Sequence, residues 1–336
     1  LFYVDTIKQQ AAFMTRFSFI WYSLLSVTLL GCVQEVKTTS EEFRLLTADS
    51  IQLALTLTKP AEHQKTPLII IIHGSGNDSR ENEYYKLLTN EFCSIGFSVI
   101  TYDKRGCDSS TGNWLSVPFS YLKDDVVAIV NHFSKDTSFT QMGLWGGSEG
   151  SNVAVWTAAE SKEIDFVIAQ SFTAMTFAEQ NKFVKLNRLR NYDNVSQQKT
   201  DELLRLQDLL YEFVRTGKGY HEYLRTFNSF REEEWFADIL GEPVSENGLW
   251  ASWYKTKLDI NSTSFLRSVN IPVLFVWGQQ DELIDVNQSL AMAKSVKKDT
   301  LFQFKIFGRA DHSLYAGGRK PVHLHYMKEW LKKHVK

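Results

Sequence analysis

The chain has 336 residues, 43% of them apolar and 23% charged, which excludes a disordered tail protein, a collagen-like repeat and a multi-span membrane protein. Lys and Arg number 37 against 39 Asp and Glu, a formal charge of −2, so no basic excess exists to neutralise phosphates and nucleic acid is not an expected partner. Three cysteines are too few for a disulfide framework, 13% aromatic residues imply a large core or an apolar pocket, and the length allows two domains or one large α/β domain with an insertion.

The first Met is Met14. Thr15 and Arg16 follow, then an uncharged apolar run over 17–30 that ends Leu29-Leu30-Gly31-Cys32. A short basic start, an apolar stretch of this length and a small residue before the cut describe a secretory signal. The run falls short of the about 20 residues that span a bilayer. Its ending resembles the lipobox of bacterial lipoproteins. That resemblance implies cleavage before Cys32 and a lipid on Cys32. Val33 in place of Asp implies anchoring at the outer membrane, facing the periplasm. Residues 1–13 read as translation upstream of Met14, so 1–31 are leader and 32–42 a polar tether. A plain N-terminal anchor helix, or a cut elsewhere, is the competing reading.

From residue 43 the chain reads as alternating strands and helices. Runs at 43–46 and 51–58 alternate around Ala48-Asp49-Ser50, as a hairpin does. Residues 67–72 are a continuous β-branched run, the pattern of a strand buried on both faces. A helix over 83–95 stops at Gly96. A strand follows over 97–102, then an amphipathic helix over 121–133 whose Asp124 and Asp125 suit the helix dipole. Strands at 139–145, 164–171, 273–277 and 301–307 alternate with helices at 148–159, 287–296 and 322–334. Such alternation implies parallel βαβ units and a sheet covered on both faces. Between about 172 and 266 it stops. Leu203, Leu206, Leu210 and Phe213 share one helical face ended by Gly217 and Gly219, and helices are expected over 220–230 and 232–240. This stretch reads as a helical cap inserted in the sheet.

Three motifs carry chemistry. Gly146-Gly147-Ser148-Glu149-Gly150 lies between a strand and a helix, the sharp turn that exposes a nucleophilic Ser148. His73-Gly74-Ser75-Gly76 follows the buried strand and can aim a backbone N–H at an oxyanion near Ser75, with Glu149 supplying the second donor. Asp281 follows one strand end and His312 the next. The chain order Ser148, Asp281, His312 differs from that of the chymotrypsin and subtilisin types, and all three stand at strand C-termini, where ligands of open α/β sheets bind.

On these residues the chain, from 43 to 336, resembles the α/β-hydrolases of the serine-hydrolase type. The resemblance implies a mostly parallel central sheet with helices on both faces and an inserted cap. It implies a Ser148 nucleophile, a His312 base and an Asp281 acid that cleave a small acyl substrate, with no cofactor and no metal. The turn Tyr102-Asp103-Lys104-Arg105-Gly106 also matches, although Asp108 stands where the family usually has Gly. Asp tolerates the left-handed conformation better than most residues. Glu149 is Gln in many relatives, and a carboxylate there is expected to discourage anionic substrates. Ester hydrolysis leads, followed by serine peptidase or aminopeptidase activity and by acyl thioesterase activity. A catalytically silent fold used for binding is a further alternative.

Other residues have plainer readings beside functional ones. Asp285 is a second candidate acid, and Asp311 reads as a loop residue. His323, His325 and His334 fit packing or surface roles, and His73 fits a structural turn. Cys93 and Cys107 can pair in an exported protein or stay buried and free. Glu232-Glu233-Glu234 reads as a solvated turn or an amine site. Lys182, Lys185, Arg188 and Arg190 read as a solvated face or a lipid or coenzyme A site. Trp235, Phe236, Trp250, Trp253 and Tyr254 either line an acyl pocket or glue the cap down.

Overall fold

The β-branched and aromatic runs of the chain pair into one eight-stranded sheet. In this computed structural model residues 36–296 and 298–335 are described. The leader, the cut before Cys32 and the start of the tether lie outside the described residues. The strands are β1 (Thr38–Leu46), β2 (Gln52–Pro60), β3 (Thr66–Ile72), β4 (Ser98–Tyr102), β5 (Phe139–Gly147), β6 (Phe166–Gln170), β7 (Val273–Gly278) and β8 (Phe302–Phe307). They lie in the order β1-β2-β4-β3-β5-β6-β7-β8. β1 and β2 form an antiparallel hairpin, β2 joins β4 antiparallel, and every later pairing is parallel.

The polar tether is shorter than its composition implies. Thr38 to Glu42 are already in β1, paired with Pro60 to Thr56 of β2. An edge strand needs backbone partners on one side and no buried side chains, so a polar sequence serves. The exposed Thr38, Thr39, Ser40, Glu41 and Glu42 show this.

Between the strands run α1 (Glu83–Cys93), α2 (Ser120–Phe133), α3 (Glu149–Glu160), α4 (Phe177–Leu189), α5 (Gln197–Thr216), α6 (Tyr220–Asn228), α7 (Phe236–Ile239), α8 (Leu249–Lys257), α9 (Ser262–Ser268), α10 (Val286–Ser295) and α11 (Leu324–His334). Successive residues of a strand face opposite sides. Leu68, Ile70 and Ile72 of β3 therefore pack with α2, α3 and α10, whereas Ile69 and Ile71 pack with α1 and α11. The sheet is covered on both faces, and among the described residues no helix is long and apolar enough to cross a membrane.

Helices α4 to α9 lie between β6 and β7, and much of this insertion has its own core, centred on Leu203, Leu206, Phe230 and Trp235. The expected helix over 232–240 is reduced to the four residues of α7. Glu233 N–H bonds Phe230 O and Phe236 N–H bonds Glu233 O at 3.0 Å, so the chain makes successive tight turns there. Those turns tuck Trp235 fully into the core against Phe230, with ring centroids 5.3 Å apart. Burial of one indole outweighs the local helical preference.

Asp125 differs from its expected role at a helix dipole. It is buried and takes the Arg105 guanidinium on both oxygens, at 2.7 and 2.6 Å. Arg105 also reaches Asp49 at 2.9 Å, so one buried side chain joins the β1–β2 turn, the turn after β4 and α2. Removing one partner of such a pair leaves a charge in the interior. Asp125→Ala is expected to lower stability by about 3–5 kcal/mol, read as a drop in the urea midpoint. A midpoint within error of the parent would contradict this account.

Candidate active site

Ser148 occupies the turn between β5 and α3 with φ 53° and ψ −122°. A non-glycine residue there carries strain of about 1–3 kcal/mol. The neighbouring glycines explain how the turn is held. A Cβ on Gly150 would lie 2.2 Å from Ile72 O, and one on Gly146 would lie 2.2 Å from Gly150 O. The start of α3 is thus pressed onto the end of β3, a fit open to glycine alone. Ser148 N–H is fastened to Gln170 O at 2.9 Å. Its side chain makes no capping bond to α3, which leaves the hydroxyl for chemistry.

At the end of β7 a second close approach brings Asp281 and His312 together. A Cβ on Gly278 would lie 2.1 Å from Asp311 O, so the two loops pack backbone to backbone. His312 Nδ1 lies 2.8 and 2.9 Å from the Asp281 oxygens. The same carboxylate accepts Leu283 N–H at 2.9 Å and Ile284 N–H at 3.0 Å, and it is buried. Asp285 is instead the N-cap of α10, accepting Gln288 N–H. Asp311 caps its own loop at Ser313 and Tyr315.

Ser148 and His312 are walls of one cavity of about 310 Å³, together with Gly74, Ser75, Asp78, Tyr84 and Gln170. Among the described residues no hydrogen bond joins Ser148 to His312. In unliganded sites this contact is often long. Ser148 also borders a second cavity of about 180 Å³, lined by Phe119, Met175, Phe177, Val184, Ile260 and Leu283 with Ser75, Glu149 and Lys257. Ser75 therefore borders both cavities. None of Trp235, Phe236, Trp250, Trp253 and Tyr254 lines either one. Trp253 packs edge-on against Trp114 and Phe177 instead, which is the gluing role.

Glu149 does not act as the expected anionic barrier. Its carboxylate is buried between two ammonium groups, Lys104 at 3.3 Å and Lys257 of α8 in closer contact. Burial pushes its pKa up, but the two lysines outweigh this and hold it at about 2. Two cations around one anion leave no free negative charge facing a substrate. Lys257 Nζ also sits over the rings of Trp253 and Phe177, at 4.3 and 4.5 Å. Sequence reasoning missed both lysines as site residues. Lys104 had a signal, its place in the turn after β4. Lys257 had none, because 108 residues separate it from Glu149.

Asp108 takes the left-handed conformation, φ 42°, as the turn was expected to require. Cys93 and Cys107 are free and buried. They pack on opposite faces of the sheet, which rules out a bond between them. The basic run on α4 is tied within the insertion: Lys182 pairs with Asp208, Lys185 bonds Ile239 O and Arg188 bonds Asp238 O. Glu233 pairs with Lys199, beside the exposed Glu232 and Glu234.

His73 is buried, with Nε2 2.7 Å from Tyr102 O. Burial, then Lys104, pulls its pKa down to about 4, and burial pulls His323 down to about 3. Both folded values lie below the unfolded 6.5. Stability is therefore full above pH 6.5 and falls as pH drops, because the unfolded chain binds protons that the folded chain refuses. Between pH 6.5 and 5 each imidazole costs about 2 kcal/mol. His323→Leu is expected to flatten this acid limb in urea titrations at pH 7 and 5. Equal pH dependence in variant and parent would refute it.

Comparison with known proteins agrees with this fold. A 31.7 kDa protein of Escherichia coli, named as an uncharacterized protein in the traX-finO intergenic region, is 22% identical over 291 residues, 84% of this chain and 96% of the relative. The esterase Pf2001 of Pyrococcus furiosus superposes with TM-score 0.60 at 16% identity, covering 89% of this chain and 92% of its own. Est1E from Butyrivibrio proteoclasticus does so with TM-score 0.54 at 19% identity, covering 87% and 96%. At these identities the two structures attest to the fold. A profile described as alpha/beta hydrolase fold matches residues 67–316, well over half of the chain, and the protein belongs to that family.

Proposed function

We propose that the protein is a serine hydrolase that cleaves carboxylic esters through an acyl-enzyme. The observation that carries this reading is the Asp281–His312 hydrogen bond beside a strained Ser148 in one shared cavity. Ser148 attacks the acyl carbonyl and passes its proton to His312 Nε2. Asp281 accepts a hydrogen bond from the Nδ1–H, which holds the tautomer that leaves Nε2 free as the base and then stabilises the imidazolium. The N–H groups of Ser75 and Glu149 receive the oxyanion, each worth about 2.7–4 kcal/mol by analogy with measured donors. Glu149 opens α3, where the first N–H groups have no partner within the helix.

The division into two cavities supports a direction for the substrate. His312 protonates the leaving group, so the leaving group occupies the cavity that His312 lines. The acyl group then takes the smaller, more apolar cavity beneath the insertion. Among the described residues the leaving-group cavity carries the Asp78 carboxylate and no Lys or Arg. That does not suit the phosphates of coenzyme A, so it weighs against a thioesterase. The two esterases of similar fold support ester chemistry over peptide chemistry. In the same proposal Cys32 carries a lipid that tethers the domain at the outer membrane, on the strength of Leu29-Leu30-Gly31-Cys32. Mass spectrometry that found Cys32 unmodified would remove the anchor and leave the catalytic reading intact.

A fluorophosphonate is expected to label Ser148 in the folded protein. Ser148→Ala should abolish labelling and lower kcat on p-nitrophenyl esters by at least about 10³-fold. Asp281→Asn should cost about 10⁴-fold in kcat by leaving His312 in the wrong tautomer. No labelling of the parent protein sinks the proposal. Faster turnover of aminoacyl anilides than of esters reassigns it as a peptidase.

A further inference from the structure

We infer that Lys104 is a positioning residue that aims both oxyanion donors, an inference that rests on the acyl-enzyme reading above. Its ammonium is buried and donates to Gly74 O at 2.6 Å and to Gly76 O at 3.0 Å. It also meets Glu149 Oε1 at 3.3 Å. A trans peptide is planar, with its C=O and N–H pointing in opposite directions. The Gly74 carbonyl and the Ser75 N–H belong to one peptide. Once the carbonyl is held by Lys104, the Ser75 N–H must point the other way, out of the interior and toward the cavities that Ser75 borders.

The loop is also near enough to the nucleophile for this to matter. A Cβ on Gly74 would lie 3.6 Å from Ser148 Cβ and 3.5 Å from Gly147 O. On the far side Gly74 N–H is held by the Tyr85 hydroxyl at 3.2 Å, and that hydroxyl donates to Asp78 at 2.5 Å. The peptide that ends at Gly74 is thus pinned as well. Without the ammonium, the Gly74 and Gly76 carbonyls lose this partner, and rotation of the Gly74–Ser75 peptide removes one oxyanion donor.

The second donor belongs to Glu149, and Lys104 holds that residue by its side chain. Neutralising Glu149 is not its main task. Lys257 already lies closer to the carboxylate, and the two bonds from Lys104 to carbonyls are both shorter than its contact with Glu149. One ammonium group therefore connects the strand-end loop after β3 to the start of α3, where the two donors sit.

Lys104→Arg tests this with charge retained. A planar guanidinium keeps a cation beside Glu149 but spreads its donors over a rigid fork, so it does not bridge both carbonyls as one nitrogen does. In the full chain kcat on a p-nitrophenyl ester is expected to fall at least tenfold, with KM within threefold. Affinity for an alkyl boronic acid, which forms an anionic tetrahedral adduct on Ser148, should fall by the same factor as kcat/KM. Lys104→Met should lose at least a hundredfold by the same measures, and where it fails to fold the Lys104→Arg comparison decides. Parent-like kcat and boronate affinity in folded Lys104→Arg overturn the inference. A parent protein that a fluorophosphonate does not label overturns the acyl-enzyme reading itself, so the two failures are distinct.

Discussion

One buried carboxylate between two buried ammonium groups holds the site together. Glu149 opens α3, Lys104 follows β4 and Lys257 ends α8 in the insertion. Three structural parts therefore meet at a point next to Ser148. Burying charge is costly, and the cost is offset only when every member keeps its partners. The cluster thus demands that the strand-end loop, the turn at Ser148 and the insertion be docked at the same time. Aromatic rings of Phe177 and Trp253 complete the enclosure around Lys257, which keeps water from weakening the attraction.

The remaining geometry follows from close backbone approaches. Gly146 and Gly150 let α3 press onto β3, and Gly278 lets the loop after β7 press onto the loop after β8. These contacts have the same consequence in different places. They hold a loop by contact between main chains, which rotamer changes cannot relax. The strained Ser148 persists because its surroundings over-determine it. Asp281 is likewise saturated, with two backbone N–H groups and one imidazole on its two oxygens. It has little freedom to turn away from His312.

The helical insertion has two functions in this arrangement. Its own core, around Leu203, Phe230 and Trp235, makes much of it a packed unit in its own right. Its inner edge supplies Phe177, Val184, Lys257 and Ile260 to the smaller cavity. The insertion therefore shapes one side of that cavity, whereas the candidate triad stands at the strand ends of the sheet.

Much of the fold and the candidate triad was legible in the sequence. β-Branched runs such as 67–72 announce buried strands, and the glycines around Ser148 and before Asp281 announce turns whose packing excludes side chains. These are local signals, carried by residues close together in the chain. The polar start of β1 was not legible, because an edge strand needs no apolar pattern. The short α7 was not legible either, because the burial of Trp235 depends on residues distant in the chain. The state of Glu149 was misread for the same reason. By itself the sequence determined the alternation of strands and helices, the sharp turn at Ser148 and the identities of Ser148, Asp281 and His312 as candidates, because spacing and residue type suffice for those. Only the tertiary structure decided that Glu149 is neutralised, that Lys104 grips the Gly74 carbonyl and that Cys93 and Cys107 lie on opposite faces. Charge, burial and direction depend on neighbours that only the folded chain brings together, across 30 residues for Lys104 and Gly74 and across 108 for Lys257 and Glu149.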